Sequence, residues 1–218
     1  MPDPFSAFAA VSLSYLLGAV PFALLLGGAA GVDLRSVGSR NVGAGNLTRT
    51  VGLRYGAAAA ILDGLKGLAP VLVARRFGLA DGVVAASGIA AVIGHNWSVY
   101  LRSRSGRGLA TAVGVLTGLA PSLLIWTGLW AVAGWWIGGG IAGFIGWGLL
   151  VPAAAFTGQT GAVVAATVVL SAVVIGRRMQ GNIGAPAALT ARMYRAVWDT
   201  DRPGSNYDDR SPQSRAVS

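Results

Sequence analysis

GLATAVGVLTGLAPSLLIWTGLWAVAGWWIGGGIAGFIGWGLLVPAAAFTGQTGAVVAATVVLSAVVIG, residues 108–176, runs for 69 residues without one Asp, Glu, Lys or Arg. A helix needs about 20 largely apolar residues to cross the roughly 30 Å hydrocarbon core of a bilayer, so this block holds several crossings. Turn-prone points at Pro121, the Gly138-Gly139-Gly140 run and Thr157-Gly158 divide it. Three further windows lie upstream: residues 6–31 carry no charge, residues 55–74 are apolar except for Asp63 and Lys66, and residues 82–101 carry no formal charge, with His95 near their end. Each is long enough for one span. The fold class expected is an all-α polytopic membrane protein.

Composition agrees. The chain is 54% hydrophobic and 11% charged with a mean hydropathy of +0.61, whereas soluble domains carry about a quarter charged residues. The absence of cysteine excludes disulfides, thiolate nucleophiles and Cys-ligated metals. A net charge of +9 raises nucleic acid as a partner, but the arginines are divided among short segments between apolar spans. Membrane topology accounts for them, and no nucleic-acid partner is expected. The start, MPDPFS, has no basic residue before its apolar run and carries Asp3, unlike a secretory signal, so the first run reads as a retained helix.

Basic residues mark the cytoplasmic side. Arg35, Arg40, Arg49 and Arg54 follow the first span, Arg102, Arg104 and Arg107 the third, and further arginines begin at Arg177. With residues 107 and 177 on one side, the block between them crosses an even number of times. Two crossings leave about 30 apolar residues unused, so four short helices are expected. The total is about seven, with the N-terminus outside and the C-terminus cytoplasmic. Arg75 and Arg76 then fall outside, at a helix end from which long side chains snorkel to headgroups. Residues 1–202 are expected to form one membrane domain and residues 203–218 a polar, disordered tail.

The first basic segment, VDLRSVGSRNVGAGNLTRTVG at 32–52, combines glycines, Ser39, Asn41, Asn46 and three arginines. Glycine lets backbone N–H groups turn toward an anion, and arginine presents donors that match phosphate oxygens. The competing reading is a basic loop obeying the positive-inside rule. The second, GHNWSVYLRSRSGRGLATAVG at 94–114, sets Arg102, Arg104 and Arg107 among small residues before a helix, whose N-terminus favours an anion. Neither has the G-x-x-x-x-G-K-[ST] order, so nucleotide hydrolysis is not expected.

Asp63 and Lys66 stand three apart on one helix face inside a span and are expected to pair, supporting the site. His95 is the only histidine. With no carboxylate cluster beside it, it offers too few ligands for a metal, and none is expected. Gly138, Gly140 and Gly143 fit G-x-G-x-x-G but lie in an apolar block without a preceding strand, so they read as packing or turn glycines. Asn46-Leu47-Thr48 and Asn96-Trp97-Ser98 match the glycosylation pattern on the cytoplasmic side, where no sugar is added. The tryptophans at 126, 130, 135, 136 and 147 read as interface belts or packing.

With these two segments in place, the chain resembles the bacterial acyl-phosphate:glycerol-3-phosphate acyltransferases, the PlsY family, from about residue 12 to 120. The family's Gly-x-x-Pro-Phe helix, D-[IL]-R-x-V-G-S-x-N-x-G-A-x-N-x-x-R-x-x-G loop and D-x-x-K-G are met at Gly18–Phe22, at 33–52 and at Asp63–Gly67. A second pattern, G-H followed by F-K-G-G-K-G-V-A-T, is met as Gly94-His95 and SRSGRGLAT, with Arg104 and Arg107 where the family has lysines. In the third pattern, H-x-x-N-I-x-R-L-x-x-G-x-E, Asn182-Ile183 align. Met179 stands at the histidine position, however, Ala185-Pro186 replace Arg-Leu, and the chain has no Glu.

The resemblance implies a seven-helix enzyme of the bacterial cell membrane with its site facing the cytoplasm. It implies transfer of a fatty acyl group from acyl phosphate to the sn-1 hydroxyl of glycerol 3-phosphate, without a cofactor and beside membrane lipid. By the family's motifs Ser39, Arg49, Arg104 and Arg107 carry catalysis. Gly38, Asn41, Gly43, Asn46, His95, Gly106, Gly108 and Asn182 bind substrate, with Asp63 and Lys66 in support. Two alternatives stand beside it: a non-catalytic or altered-substrate relative that binds a phosphorylated lipid precursor, and a transporter. The second wants polar residues along several spans, which 108–176 lacks.

Overall fold

The computed structural model of the chain describes residues 3–101, 103–181 and 189–198. Its helices are α1 (Pro4–Ala19), α2 (Phe22–Ala29), α3 (Ala44–Thr50), α4 (Leu53–Arg76), α5 (Asp81–Asn96), α6 (Leu109–Leu119), α7 (Leu123–Ile137), α8 (Gly139–Gly148), α9 (Leu150–Phe156), α10 (Gly161–Gln180) and α11 (Leu189–Trp198). Between α5 and α6 a small antiparallel hairpin pairs β1 (Trp97–Ser98) with β2 (Ser103–Arg104). By length and composition three segments suffice to cross a membrane: 4–29, α4 and α10. The bent pair α8–α9 makes a fourth, and α6 and α7 are shorter apolar helices.

The breaks have local causes. Val20, before Pro21, takes an extended conformation (φ −61°, ψ 120°), because the proline ring disfavours helix in the residue before it. The first apolar run is therefore split into α1 and α2 rather than continuous. The charge-free block is interrupted at 120–122, at Gly138 and at 157–160, and bends by 45° between α8 and α9, where Gly148 precedes the bend and Pro152 lacks the N–H that would bond back to the Gly148 carbonyl.

Packing rests on small residues. A Cβ on Gly18 would land on the carbonyl of Ala91, one on Gly94 on the carbonyl of Tyr15, one on Gly67 on the carbonyl of Thr111, and one on Gly114 on the carbonyl of Gly64. Bare glycines thus let α1 and α5, and α4 and α6, run with their backbones in contact, which is how membrane helices gain dispersion energy when lipid removes the hydrophobic incentive. In α4 and α6 the contacts advance together, from Gly67 against Thr111 to Gly118 against Val71, so that pair runs parallel. The Tyr15 hydroxyl donates to the Trp97 carbonyl (2.9 Å) and the Ser98 hydroxyl to that of Ala19 (2.6 Å), which ties the C-terminal ends of α1 and α5 together.

Val71, Val92, Val115, Leu116, Leu123, Leu150, Leu170 and Val174 fill the interior. The outside carries exposed Phe5, Trp135, Trp136 and Phe156, a surface that water would penalise and a bilayer accepts. The C-terminal ends of α1, α5 and α10 and the N-terminal end of α6 gather at one end of the bundle, where the segments holding the basic residues meet. The proposed boundary at residue 202 and the tail beyond it lie outside the described residues.

Candidate active site

At that end a cavity of about 200 Å³ is lined by Ser39, Asn41, Gly43, Asn46, Arg49, Asp63, His95, Arg107 and Gly108. Residues from the two basic segments and from α4 therefore share one wall. The first segment is not all loop, since its second half coils into α3 and carries Asn46 and Arg49.

Asn46 is fully buried and holds the segment in shape. Its Oδ1 accepts from the Ser39 backbone N–H (3.1 Å), and its Nδ2 donates to the carbonyls of Leu34 (3.3 Å) and Val37 (3.1 Å). Asn46, expected to bind substrate, lines the cavity and with these same groups organises the loop backbone. Gly38 lies directly over Asn46 with φ +57°, where a side chain would be strained and would strike the amide. Arg40 also has a positive φ of 54°, unusual for a residue with a side chain. The Ser39 side chain, 2% exposed, accepts from Arg49 Nη2 at 3.4 Å. Arg35 turns away to an exposed pair with Asp33 (2.9 Å), whose hydrogen bonds hold the Asp33 carboxyl below its ordinary range. Of the arginines before α4, Arg49 is the one on the cavity wall.

The second segment enters through α6. Gly108 (φ +74°) caps the helix without a side-chain bond, and Gly108, Leu109 and Ala110 line the cavity. The open N-terminal turn of α6 thus faces the cavity beside Arg107, and its N–H groups and dipole favour an anion there. Asn41 also lines the cavity, and its buried Oδ1 has no hydrogen-bond partner among the described residues. Arg104 lies in β2 opposite Trp97, but its side chain, like all of Asn182, lies outside the described residues.

The floor is ionic. Asp63 Oδ1 lies 2.9 Å from Lys66 Nζ and 3.6 Å from His95 Nδ1, and all three side chains are buried. The first contact is an ion pair whose angles fall short of an aligned hydrogen bond. Lys66 Nζ also donates to the Val20 carbonyl at 2.7 Å and stands 5.6 Å from the centre of the Phe22 ring. The break before Pro21 exposes a carbonyl that the intramembrane lysine satisfies, so the Pro-Phe pair and Lys66 form one construction. The opposite edge of His95 packs on Gly106, leaving no room for a Cβ beside Nε2. Replacing Gly106 with alanine should displace the imidazole and Arg107 together. Expected is a fall in activity of about 10²-fold with little loss of folded protein, read by turnover and by size-exclusion profile.

A second cavity, of about 220 Å³, is lined mainly by apolar groups, among them Leu109, Val113, Trp130, Gly139, Gly143, Gly146 and Trp147. Leu109 belongs to both cavities, so a polar and an apolar chamber adjoin at the start of α6. Sequence reading missed this chamber. Trp147 is buried and Trp130 lies against Gly146, whereas Trp135 and Trp136 are exposed, and nothing in their spacing separates the two groups. It also passed over Asn96 and Arg177. Asn96 is completely buried, and its amide finds no partner among the described residues. No cluster of His, Asp or Glu among the described residues is placed to hold a metal ion.

A family model described as glycerol-3-phosphate acyltransferase matches residues 8–188. The glycerol-3-phosphate acyltransferase of Geobacter sulfurreducens is 49% identical over 110 residues, which cover 50% of this chain and 57% of that protein. That of a Thermus thermophilus strain is 48% identical over 115 residues, 53% of this chain and 58% of the relative. The chain thus spans less than two thirds of the length of these relatives. Among solved structures, the integral membrane glycerol 3-phosphate acyltransferase PlsY in its glycerol 3-phosphate form superposes with a TM-score of 0.75 at 35% identity, covering 80% of this chain and 89% of that one. Its lysophosphatidic acid form gives 0.72 at 32% identity over 79% and 88%.

Proposed function

The chain belongs to the glycerol-3-phosphate acyltransferase family, and we propose that it moves a fatty acyl group from acyl phosphate to the sn-1 hydroxyl of glycerol 3-phosphate. The observation that carries this reading is the junction at Leu109 of a cavity holding Arg49 and Arg107 with an apolar chamber. A phosphate and an alkyl chain on one molecule need both. The bond between the acyl carbon and the bridging phosphate oxygen of the donor breaks as the glycerol hydroxyl oxygen bonds to that carbon. The hydroxyl proton leaves with the released phosphate, and lysophosphatidic acid remains.

The donor is already an activated anhydride, so no covalent intermediate or cofactor is called for. Arg49, Arg107, Ser39 and the first turn of α6 neutralise the phosphates, and Arg104 and Asn182 join them by the family's motifs. Asn41 accepts a glycerol hydroxyl, and the Trp130–Trp147 chamber takes the acyl chain. Gly38, Gly43, Gly106 and Gly108 keep the walls close, and the Asp63–Lys66–His95 floor holds their elements in register. Orientation and charge stabilisation in a site shielded from water then lower the barrier.

The proposed topology has seven crossings: residues 4–29, α4, α5, α6, α7, the bent α8–α9 and α10. The N-terminus lies outside and the site faces the cytoplasm, the side that the basic segments mark. The meeting of the C-terminal ends of α1 and α5 and the parallel course of α4 with α6 support it, because alternate crossings run in the same direction. Detergent-purified protein given acyl phosphate and glycerol 3-phosphate should release phosphate and form lysophosphatidic acid. If phosphate release does not exceed that of a control without acceptor, the catalytic reading falls and the chain binds a phosphorylated precursor without turning it over.

A further inference from the structure

The last turn of α10 carries two buried arginines, Arg177 at 1% exposure and Arg178 at 5%, at the end of the bundle where the cavity lies. Burying a guanidinium is costly unless its donors are satisfied, so where those donors go is informative. Arg177 Nη1 donates to the Gly181 carbonyl at 2.8 Å, within its own helix end. Its Nη2 crosses to the carbonyl of Ser105 at 3.1 Å, on the segment that leads into α6.

The Ser105 backbone is thereby held on both sides of its Cα. Its N–H donates to the Asn96 carbonyl at 3.0 Å, and its carbonyl accepts from Arg177. Gly106, the next residue, packs on His95, and Arg107 and Gly108 follow on the cavity wall. Arg178 instead donates to the Gly140 carbonyl at 3.0 Å, on α8, whose Gly139 and Gly143 line the apolar chamber.

We infer that Arg177 is a positioning residue that clasps the Ser105 peptide and so sets where Arg107 stands in the phosphate cavity. The inference rests on the proposed acyl transfer for its kinetic consequence but not for its structural one. Arg177 touches no substrate in this assignment and acts through two covalently linked residues. A planar guanidinium spans two carbonyls from one rigid fork, which an ammonium does not. A displacement of the reacting geometry by about 1 Å costs roughly 10²-fold in rate.

The absence of cysteine makes a direct test possible. Ser105→Cys places a thiol at a site 3% exposed, and Ser87→Cys places one in the fully buried middle of α5 as a control for unfolding. Expected is that adding Arg177→Ala speeds maleimide labelling of Cys at 105 by about tenfold or more, while Cys at 87 stays slow. In the cysteine-free protein, Arg177→Ala should raise KM for glycerol 3-phosphate by about tenfold as well as lower kcat, whereas mere loss of folded protein lowers kcat alone. Free guanidinium should restore part of the activity.

If Arg177→Ala does not fold, Arg177→Lys carries the test, with labelling and KM between those of wild type and a released loop. Unchanged labelling at 105 in a folded variant overturns the clasp. Faster labelling in a protein that never showed acyl transfer keeps the clasp and removes the proposed function instead. A KM left at the wild-type value overturns its role in placing Arg107.

Discussion

Arg107→Ala is expected to lower acyl transfer by about 10²- to 10³-fold, equivalent to about 2.7–4 kcal/mol of transition-state stabilisation, the scale seen when one preorganised charge-stabilising donor is removed. The effect should be this large because Arg107 lies on the cavity wall beside the N-terminal turn of α6, so that two positive sources would bear on a phosphate bound there as proposed. The protein should remain folded, since the residue is half-buried at a mouth rather than packed in the bundle interior. Arg107→Lys keeps the charge but not the fork and should fall between the two. Turnover near wild type in the alanine variant would remove Arg107 from the phosphate cradle. The measurement is initial phosphate release at saturating acyl phosphate, beside a melting curve in the same detergent.

The second large effect falls on stability. Asp63→Asn keeps the shape of the side chain and removes its charge, leaving Lys66 buried against the Val20 carbonyl without its anion. Losing one member of a buried pair costs about 3–5 kcal/mol, and a sharp drop in melting temperature is expected. Asp63→Asn combined with Lys66→Met should recover most of that loss, because the penalty comes from the uncompensated charge rather than from the missing attraction. If the single variant melts with wild type, the pair does not stabilise the α4–α1 junction. If the double variant is stable but inactive, the pair serves the site as well as the fold.

Much of this molecule is legible in the sequence because a bilayer imposes simple rules. Span length follows from hydrocarbon thickness, so the charge-free windows mark the helices, and Pro21, Pro121 and Gly138 interrupt them by mechanisms confined to their own backbone. Asp63 and Lys66 had to find partners, because an isolated charge in that position is too costly. The order of residues in the basic segments located Ser39, Arg49 and Arg107, which the structure brings to one cavity.

Other features were not legible. That Asn46 also organises the loop was hidden, because its partners, the carbonyls of Leu34 and Val37 and the Ser39 N–H, are assigned only once the chain turns back on itself. The bend at Leu149 has Gly148 before it and Pro152 after it, yet the same residues would fit a full break, and equally apolar tryptophans divide into buried and exposed by the neighbours that other helices bring to them.

The sequence by itself determined a helical membrane protein with two basic, glycine-rich segments and an oppositely charged pair inside a span, since hydropathy windows and helical spacing need only residue type and distance along the chain. Only the tertiary structure decided that His95 joins that pair, that an apolar chamber adjoins the polar cavity at Leu109, and that Arg177 reaches Ser105. Those contacts join residues far apart in the chain. Their energy comes from directed hydrogen bonds and close packing, which exist only after the helices have been brought together.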